Sequence, residues 1–297
     1  MNTAISIVTP TYNQAETISE TIESVLGQRL RENLEYIIVD GGSTDGTEGI
    51  VRCYEGKIRQ QGIRFHYIRE KDRGQADAIN KGWRHASGSV LGFLNSDDLL
   101  VGGALQHVMQ YFQTNRNVMW AYGGWKLIDG NGCVYKTVSH RRFSRKRLLN
   151  YCNIGQPSCF FRRSLLDQFG MLKEKLHLAM DYDLWLRFAS RYEAGIIPHT
   201  LSCMRYYPEA KSALKTRQQL KEILNIGGKY TRPKSFRRIM QYFYYYRGLA
   251  VTLAGADISR RITIKSKLGK GASGRRDNLS ATKAKGKNAP PVNERHP

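Results

Sequence analysis

The sequence predicts an α/β protein: a mostly parallel, mixed sheet flanked by helices, with a helical C-terminal extension and a disordered basic tail. Three observations predict the sheet. Short apolar runs alternate with stretches of helical spacing over the first hundred residues, the rhythm of strand–helix–strand units with right-handed crossovers. The runs are nearly continuous in Val, Ile, Leu and Phe, as in strands covered on both faces. Three of them end in polar clusters, and ligands of open α/β sheets bind outside the carboxyl ends of strands.

Ile5 to Thr9 is the first predicted strand, followed by Asn13 and Glu16 in a capping-box pattern. Ile18, Ile22, Val25 and Leu26 then form a helical stripe. Tyr36 to Asp40 is the second strand. Ser43 and Asp45 are candidate caps for a helix with Ile50, Val51 and Tyr54 inside. Arg64 to Ile68 is the third strand, Gly74 to Ala86 a helix, and Val90 to Leu94 the fourth strand. From Val118 to Val138 the Gly123-Gly124 and Asp129-Gly130-Asn131-Gly132 turns predict hairpins. Cys159 to Phe161 reads as a strand, Asp181 to Arg191 as a helix, and Gly195 to Pro198 as a strand preceding a structural His199. Residues 209–226 and 235–250 have helical spacing, and beyond about Lys265 the composition is that of a disordered tail.

The net charge of +22 is unevenly spread. Residues 1–210 carry 26 basic against 21 acidic side chains, whereas residues 211–297 carry 21 against 4. The basicity therefore belongs to the C-terminal part. Five cysteines without a C-x-x-C pair point to neither a zinc site nor a disulfide framework, and suggest a reducing, cytoplasmic setting. The start of the chain has neither the basic nor the long apolar region of a secretory signal. Gly248 to Ala256 is far shorter than the ~20 residues a membrane span requires.

The three strand ends carry the chemistry. Thr9-Pro10-Thr11-Tyr12-Asn13 offers an aromatic face for a base, and Asp40-Gly41-Gly42 offers a carboxylate and a close backbone approach. Asn95-Ser96-Asp97-Asp98 brings two adjacent carboxylates. These are hard donors suited to Mg²⁺ or Mn²⁺ held together with substrate phosphates. The competing reading of Asp97-Asp98 is a cap on the helix bearing Leu105, Val108, Met109 and Phe112. No G-x-G-x-x-G or G-x-x-x-x-G-K-[ST] occurs, so the chain lacks a phosphate-cradling glycine loop of the usual kinds.

IVTPTYN, YIIVDGGSTDGT, DRGQADAINKG and FLNSDD, in this order and spacing, resemble the nucleotide-sugar half of family 2 glycosyltransferases with the Rossmann-like GT-A fold. The resemblance covers residues 4–100 strongly and extends more weakly to about residue 212 through GQPSCFFRR and MDYDLWLR. It implies inverting transfer of a sugar from a nucleotide-diphosphate donor, a UDP-sugar above all. It implies that Pro10, Thr11, Tyr12 and Asp40 hold the nucleotide. Asp72, Gly74, Gln75 and Asp77 fall in the stretch that closes over it, Asp97 lies near the ribose, and Asp98 binds the metal. The expected organisation is a catalytic domain over 1–212, with a nucleotide-sugar half at 1–100 and an acceptor half at 101–212. A helical basic extension follows at 213–264, and a disordered tail at 265–297.

Asp181 sits three and four residues before Leu184 and Trp185, on the inward face of its helix. It is there as either an N-cap or a general base, and the family's catalytic Asp occupies this place. Asp183 lies about 200° round the helix and pairs with Arg187 at i+4, which reads as a solvent-side ion pair. In one respect the chain departs from its resemblance: Tyr207 stands where relatives commonly carry a His two residues after an Arg, here Arg205.

The segment KSFRRIMQYFYYYRGLAV interleaves Arg with apolar and aromatic residues. It suits a helix that covers the core, a helix at an anionic membrane surface, or, least well, a nucleic-acid contact. The expected partners are thus a nucleotide-sugar donor, a glycan or lipid-linked acceptor in surface polysaccharide or glycoconjugate synthesis, and a membrane surface reached from the cytoplasmic side. A sugar-phosphate nucleotidyltransferase would need a glycine-rich basic loop after the first strand, which PTYNQAE lacks. A non-catalytic basic surface-binding protein would have no use for Tyr12, Asp40, Asp98 and Asp181 together.

Overall fold

The structure is a computed structural model that describes residues 4–28, 30, 33–206 and 215–250. Tyr207 and the tail expected from residue 265 lie outside the described residues. The compact unit that contains the sheet runs through Tyr246.

Nine strands form one mixed sheet. The first half is β1 (Ile5–Thr11), α1 (Ile18–Leu26), β2 (Leu34–Asp40), α2 (Thr47–Gln60), β3 (Arg64–Arg69), α3 (Gln75–His85) and β4 (Val90–Phe93). Its strands pair in parallel in the order β3-β2-β1-β4. Consecutive residues alternate between faces. Val8, Ile37 and Val39 pack with Trp83 on one side, and Ile7, Tyr36 and Ile38 with Ile18, Ile22 and Val25 on the other. Burial of both faces is why β1, β2 and β4 read as largely apolar runs, whereas β3, at the sheet edge, is only partly buried.

The second half is β5 (Leu99–Leu100), α4 (Ala104–Thr114), β6 (Trp120–Ile128), β7 (Val134–Val138), α5 (Arg145–Leu148), β8 (Cys159–Arg162), α6 (Ser164–Phe169), α7 (Met180–Ala189), β9 (Gly195–Arg205) and α8 (Thr216–Gly228). It continues the sheet as β4-β8-β6-β9-β5, with β7 forming the expected hairpin with β6. Residues 236–250 are helical.

Several local expectations are corrected. No capping box forms at Asn13 and Glu16: α1 starts at Ile18 after Thr17 without a side-chain cap. Asn13 instead adopts a left-handed backbone. It ties β1 to the β2 turn by accepting from the Thr44 N–H and donating its own N–H to Ser43 Oγ. Ser43 does not cap α2, because its hydroxyl and N–H both donate to Asp40. Asp97 and Asp98 cap no helix: β5 intervenes, and Gly103 stands at the start of α4. His199 lies inside β9 and stacks on His107 at 3.5 Å between ring centroids. Asp183 is not at the surface. It is 1% exposed, paired at 2.8 Å with both Lys173 Nζ and Arg187 Nε, because α7 is buried almost all round.

Candidate active site

The carboxyl ends of β1 and β4 open on a cleft of about 690 Å³, whose far wall is the start of α7. Pro10, Thr11 and Tyr12 line it from β1. Tyr12 is 59% exposed, so its ring presents an open aromatic face to solvent at the rim. Among the described residues the buried Thr11 hydroxyl has no hydrogen-bond partner, a condition rare enough to call for an explanation.

The loop before α3 forms the roof. Asp72, Gly74 and Gln75 line the cleft, and the Gly74 N–H donates to Asp72 Oδ1 at 2.8 Å. The loop descends onto Gly41: a Cβ there would lie 2.9 Å from Asp72 Cγ, so any larger residue would push the Asp72 side chain out of this position. Asp77 faces away from the cleft. It accepts from the Arg73 backbone and guanidinium and sits 3.7 Å from Lys81 Nζ. It organises the loop from behind. Asp40 is also turned inward. It is fully buried, with Oδ1 accepting from Gly42 and Ser43 and Oδ2 from the Tyr67 hydroxyl at 2.8 Å. In this structure it shapes the turn after β2 and does not line the cleft.

Asn95, Asp97 and Asp98 line the floor. They are placed by a long-range clamp. β5 pairs antiparallel with β9, Leu99 opposite Cys203, which brings Arg205 beside the carboxylates. The Arg205 N–H donates to Asp98 Oδ1 at 2.9 Å, and its Nε to the Asp97 carbonyl at 3.0 Å. Its guanidinium also meets Glu20 at 2.5 Å. Asn95 links the floor sideways: it accepts from Gln75 Nε2 at 2.7 Å and donates to Asp98 Oδ2 at 3.2 Å. Gln156 lies beside it, donating to the Phe93 carbonyl.

Burial pushes the Asp98 carboxyl well above the usual carboxylate range, and the Asp97 charge acts the same way. A cation would relieve both effects. Among the described residues no group of three or more His, Cys, Asp or Glu could hold a metal by itself. One or two carboxylates fit a Mg²⁺ or Mn²⁺ ion whose remaining ligands are phosphate oxygens and water.

Asp181 lines the wall at the start of α7. Its Oδ1 accepts from the Tyr182 N–H at 2.8 Å, and burial pushes the carboxyl up to about 6. It is not the N-cap, which is Ala179. The Leu178 and Ala179 N–H groups donate to Glu222 of α8 at 3.0 and 3.2 Å, so α8 locks the start of the helix that carries Asp181. His177, Lys215 and Gln219 complete this wall. The roles of Arg205 and Glu222 have no signature in the spacing, since their partners lie 107 and 44 residues away.

The sequence model of Glycosyl transferase family 2 matches residues 6–170. The chain is 30% identical over 203 residues to the UDP-Glc:alpha-D-GlcNAc-diphosphoundecaprenol beta-1,3-glucosyltransferase WfgD of Escherichia coli, covering 68% of this chain and 76% of that one. It is 26% identical over 226 residues to a glycosyltransferase of uncharacterised specificity from Rickettsia bellii, covering 75% of this chain but spanning only 31% of that relative. The mannosyltransferase PcManGT of Pyrobaculum calidifontis, solved with GDP-Man and Mn²⁺, superposes with a TM-score of 0.62 at 20% identity, over 92% of this chain and 80% of that one. At that identity the likeness is one of fold, and it is the GT-A fold.

Proposed function

The chain belongs to glycosyl transferase family 2, and from that premise we propose a metal-dependent, inverting transfer of a sugar from a nucleoside-diphosphate donor. The acceptor is a glycan or lipid-linked sugar in surface polysaccharide or glycoconjugate synthesis. The observation that carries the reading is the opposition of two kinds of carboxylate in one cleft. Asp97 and Asp98 form the floor, and Asp181, held up to about 6, stands on the wall.

Tyr12 stacks on the base, and the orphaned Thr11 hydroxyl supplies a polar contact. Asp72, Gly74 and Gln75 close over the nucleotide. A UDP-sugar is the expected donor, in keeping with the donor in the name of the Escherichia coli relative. Asp98, with Asp97 beside it, would hold Mg²⁺ or Mn²⁺, whose chemistry at this position is Lewis-acid stabilisation of the leaving diphosphate. Asp181 has one oxygen held by the Tyr182 N–H, so the other takes the proton of the acceptor hydroxyl. The acceptor oxygen bonds to the anomeric carbon as the bond from that carbon to the diphosphate oxygen breaks. The electron pair leaves on the diphosphate, and one displacement inverts the centre.

Among the described residues no helix is long and apolar enough to cross a membrane. Attachment at the inner membrane surface is instead supported by residues 229–250, which carry six Lys and Arg and no acid, and by exposed Phe236, Ile239, Phe243 and Tyr246.

Thermal melting with a nucleotide panel tests the donor reading. UDP with Mn²⁺ or Mg²⁺ is expected to raise the melting temperature, since a ligand of the folded state stabilises it, and EDTA to remove most of the shift. Asp98→Ala is expected to abolish the metal-dependent part. If no nucleotide shifts the melting point with metal present, the reading is wrong. Release of pyrophosphate in place of a nucleoside diphosphate would mark a nucleotidyltransferase.

A further inference from the structure

A second cavity, of about 530 Å³, adjoins the active-site cleft and is lined by Lys215, Arg217, Gln218, Lys221 and Tyr245. Lys215 lines both spaces, and Gln219 and Glu222 of the same helix bond Leu178 just before Asp181, so the cavity continues the cleft from the wall that carries Asp181. Among the described residues its lining has three cations and no acid. Among the described residues none of the three forms an ion pair with a carboxylate. Arg217 and Lys221 are four apart on α8, a spacing at which like charges repel. The acid within this stretch, Glu222, is turned to the N–H groups of Leu178 and Ala179. The three side chains are exposed, and their concentrated positive charge favours a multiply charged anion.

Resting on the function proposed above, we infer that this cavity is the diphosphate subsite for a lipid-diphosphate-linked sugar acceptor. The nucleotide's own diphosphate belongs at the other end of the cleft, with Asp97 and Asp98. A neutral glycan acceptor would have no use for three cations. Lys215 to Lys221 spans about 9 Å along the helix axis, room for two phosphates in series. The Glu222 bonds fix α8 to the start of α7, and Gln219 Nε2 adds a bond to the Leu178 carbonyl at 3.2 Å. The cation row is therefore held in register with Asp181, as it must be if an anchored diphosphate is to present its sugar to the base. Tyr245 belongs to the helical segment whose Phe236, Ile239, Phe243 and Tyr246 are exposed, an apolar stripe suited to the lipid end of such a molecule. The acceptor in the name of the Escherichia coli relative is a sugar on a lipid diphosphate.

The test is calorimetric binding of farnesyl diphosphate to the full chain saturated with UDP and Mn²⁺, which fills the donor site. The chain is expected to bind farnesyl diphosphate, to bind farnesol at least tenfold more weakly, and to yield part of the bound farnesyl diphosphate to inorganic pyrophosphate. Arg217→Gln with Lys221→Gln should weaken farnesyl diphosphate binding tenfold or more. The UDP-induced melting shift should persist, which shows that the variant is folded and its donor site intact. Equal affinity of wild type and variant for farnesyl diphosphate would overturn the subsite, as would failure of wild type to bind it. Full competition by phosphatidylglycerol vesicles would identify a headgroup site and equally overturn it. A missing UDP shift in the wild type would instead count against the donor reading, so the two failures are distinguishable.

Discussion

Asp181 and Asp183 sit two residues apart on one helix, and replacing each by Asn is expected to move stability in opposite directions. Asp181 is held up to about 6 by burial, and only backbone N–H groups oppose the shift. A carboxyl raised in the folded state is easier to fold when protonated. Its contribution is therefore most favourable below about pH 4, and is lost as pH rises to about 6. Above that, keeping the charge costs on the order of 1–3 kcal/mol, taking about 1.4 kcal/mol per pKa unit and allowing for partial solvent access. Asp181→Asn removes that cost and should raise the melting temperature at pH 7.5 by roughly 2–12 °C. The gain should shrink as pH falls below about 6 and be nearly gone only near about pH 3.5, below the ordinary carboxyl pKa, where folded and unfolded chains are both largely protonated. Transfer should fall by on the order of 10²-fold or more, and in the unaltered chain it should rise with pH through about 6 and then level off.

Asp183 is the reverse case. It is buried between Lys173 and Arg187, each at 2.8 Å. Breaking a buried pair costs on the order of 3–5 kcal/mol. Lys173 is 49% exposed and can turn to water, and Arg187 keeps the carbonyls of Phe169, Gly170 and Met171. The expected loss for Asp183→Asn is therefore about 2–4 kcal/mol, or roughly 4–16 °C. Scanning fluorimetry at both pH values, with transfer measured in parallel, decides the matter. Shifts of the same sign in the two variants, or an Asp181→Asn protein that transfers at the wild-type rate, would refute the reasoning.

Two further outcomes are expected. Gly41→Ala forces Asp72 to move, since the new Cβ would lie 2.9 Å from its Cγ, so UDP affinity should fall while the unliganded melting temperature changes by a few degrees at most; unchanged affinity would show that the roof loop does not touch the nucleotide. The full chain should sediment with vesicles containing anionic lipid, less so as salt screens exposed charges within about 8 Å at physiological ionic strength, and Phe236→Ser with Phe243→Ser should release it; equal binding to neutral vesicles would dismiss the electrostatic contribution.

The elements legible in the sequence are those whose signal is local. β1, β2 and β4 are readable as apolar runs because both of their faces are buried, and the polar ends of β1 and β4 mark the rim and floor of the cleft. The amphipathic spacing of α1 and α4 matches the residues that are buried. Asp183 was misread because its charge and its i+4 partner look the same on a solvated helix as on one enclosed by other elements. Its neighbour Lys173 comes from a loop ten residues earlier.

Sequence alone determined the alternation of strands and helices, the four donor-side motifs and the presence of a carboxylate at the start of α7, because each depends on residues close together in the chain. Tertiary structure decided which of those residues face the cleft. Asp40 and Asp77 point into the protein because Tyr67, Ser43 and Arg73 supply hydrogen bonds there. Asp98 is placed because β9 returns beside β5 and delivers Arg205. Asp181 is elevated because packing around the start of α7 withdraws part of its solvation, and it is registered to the cations of α8 because Glu222 closes the turn before it. Burial and long-range pairing are properties of the packed chain. No window of sequence contains both partners, and so no local pattern could have announced them.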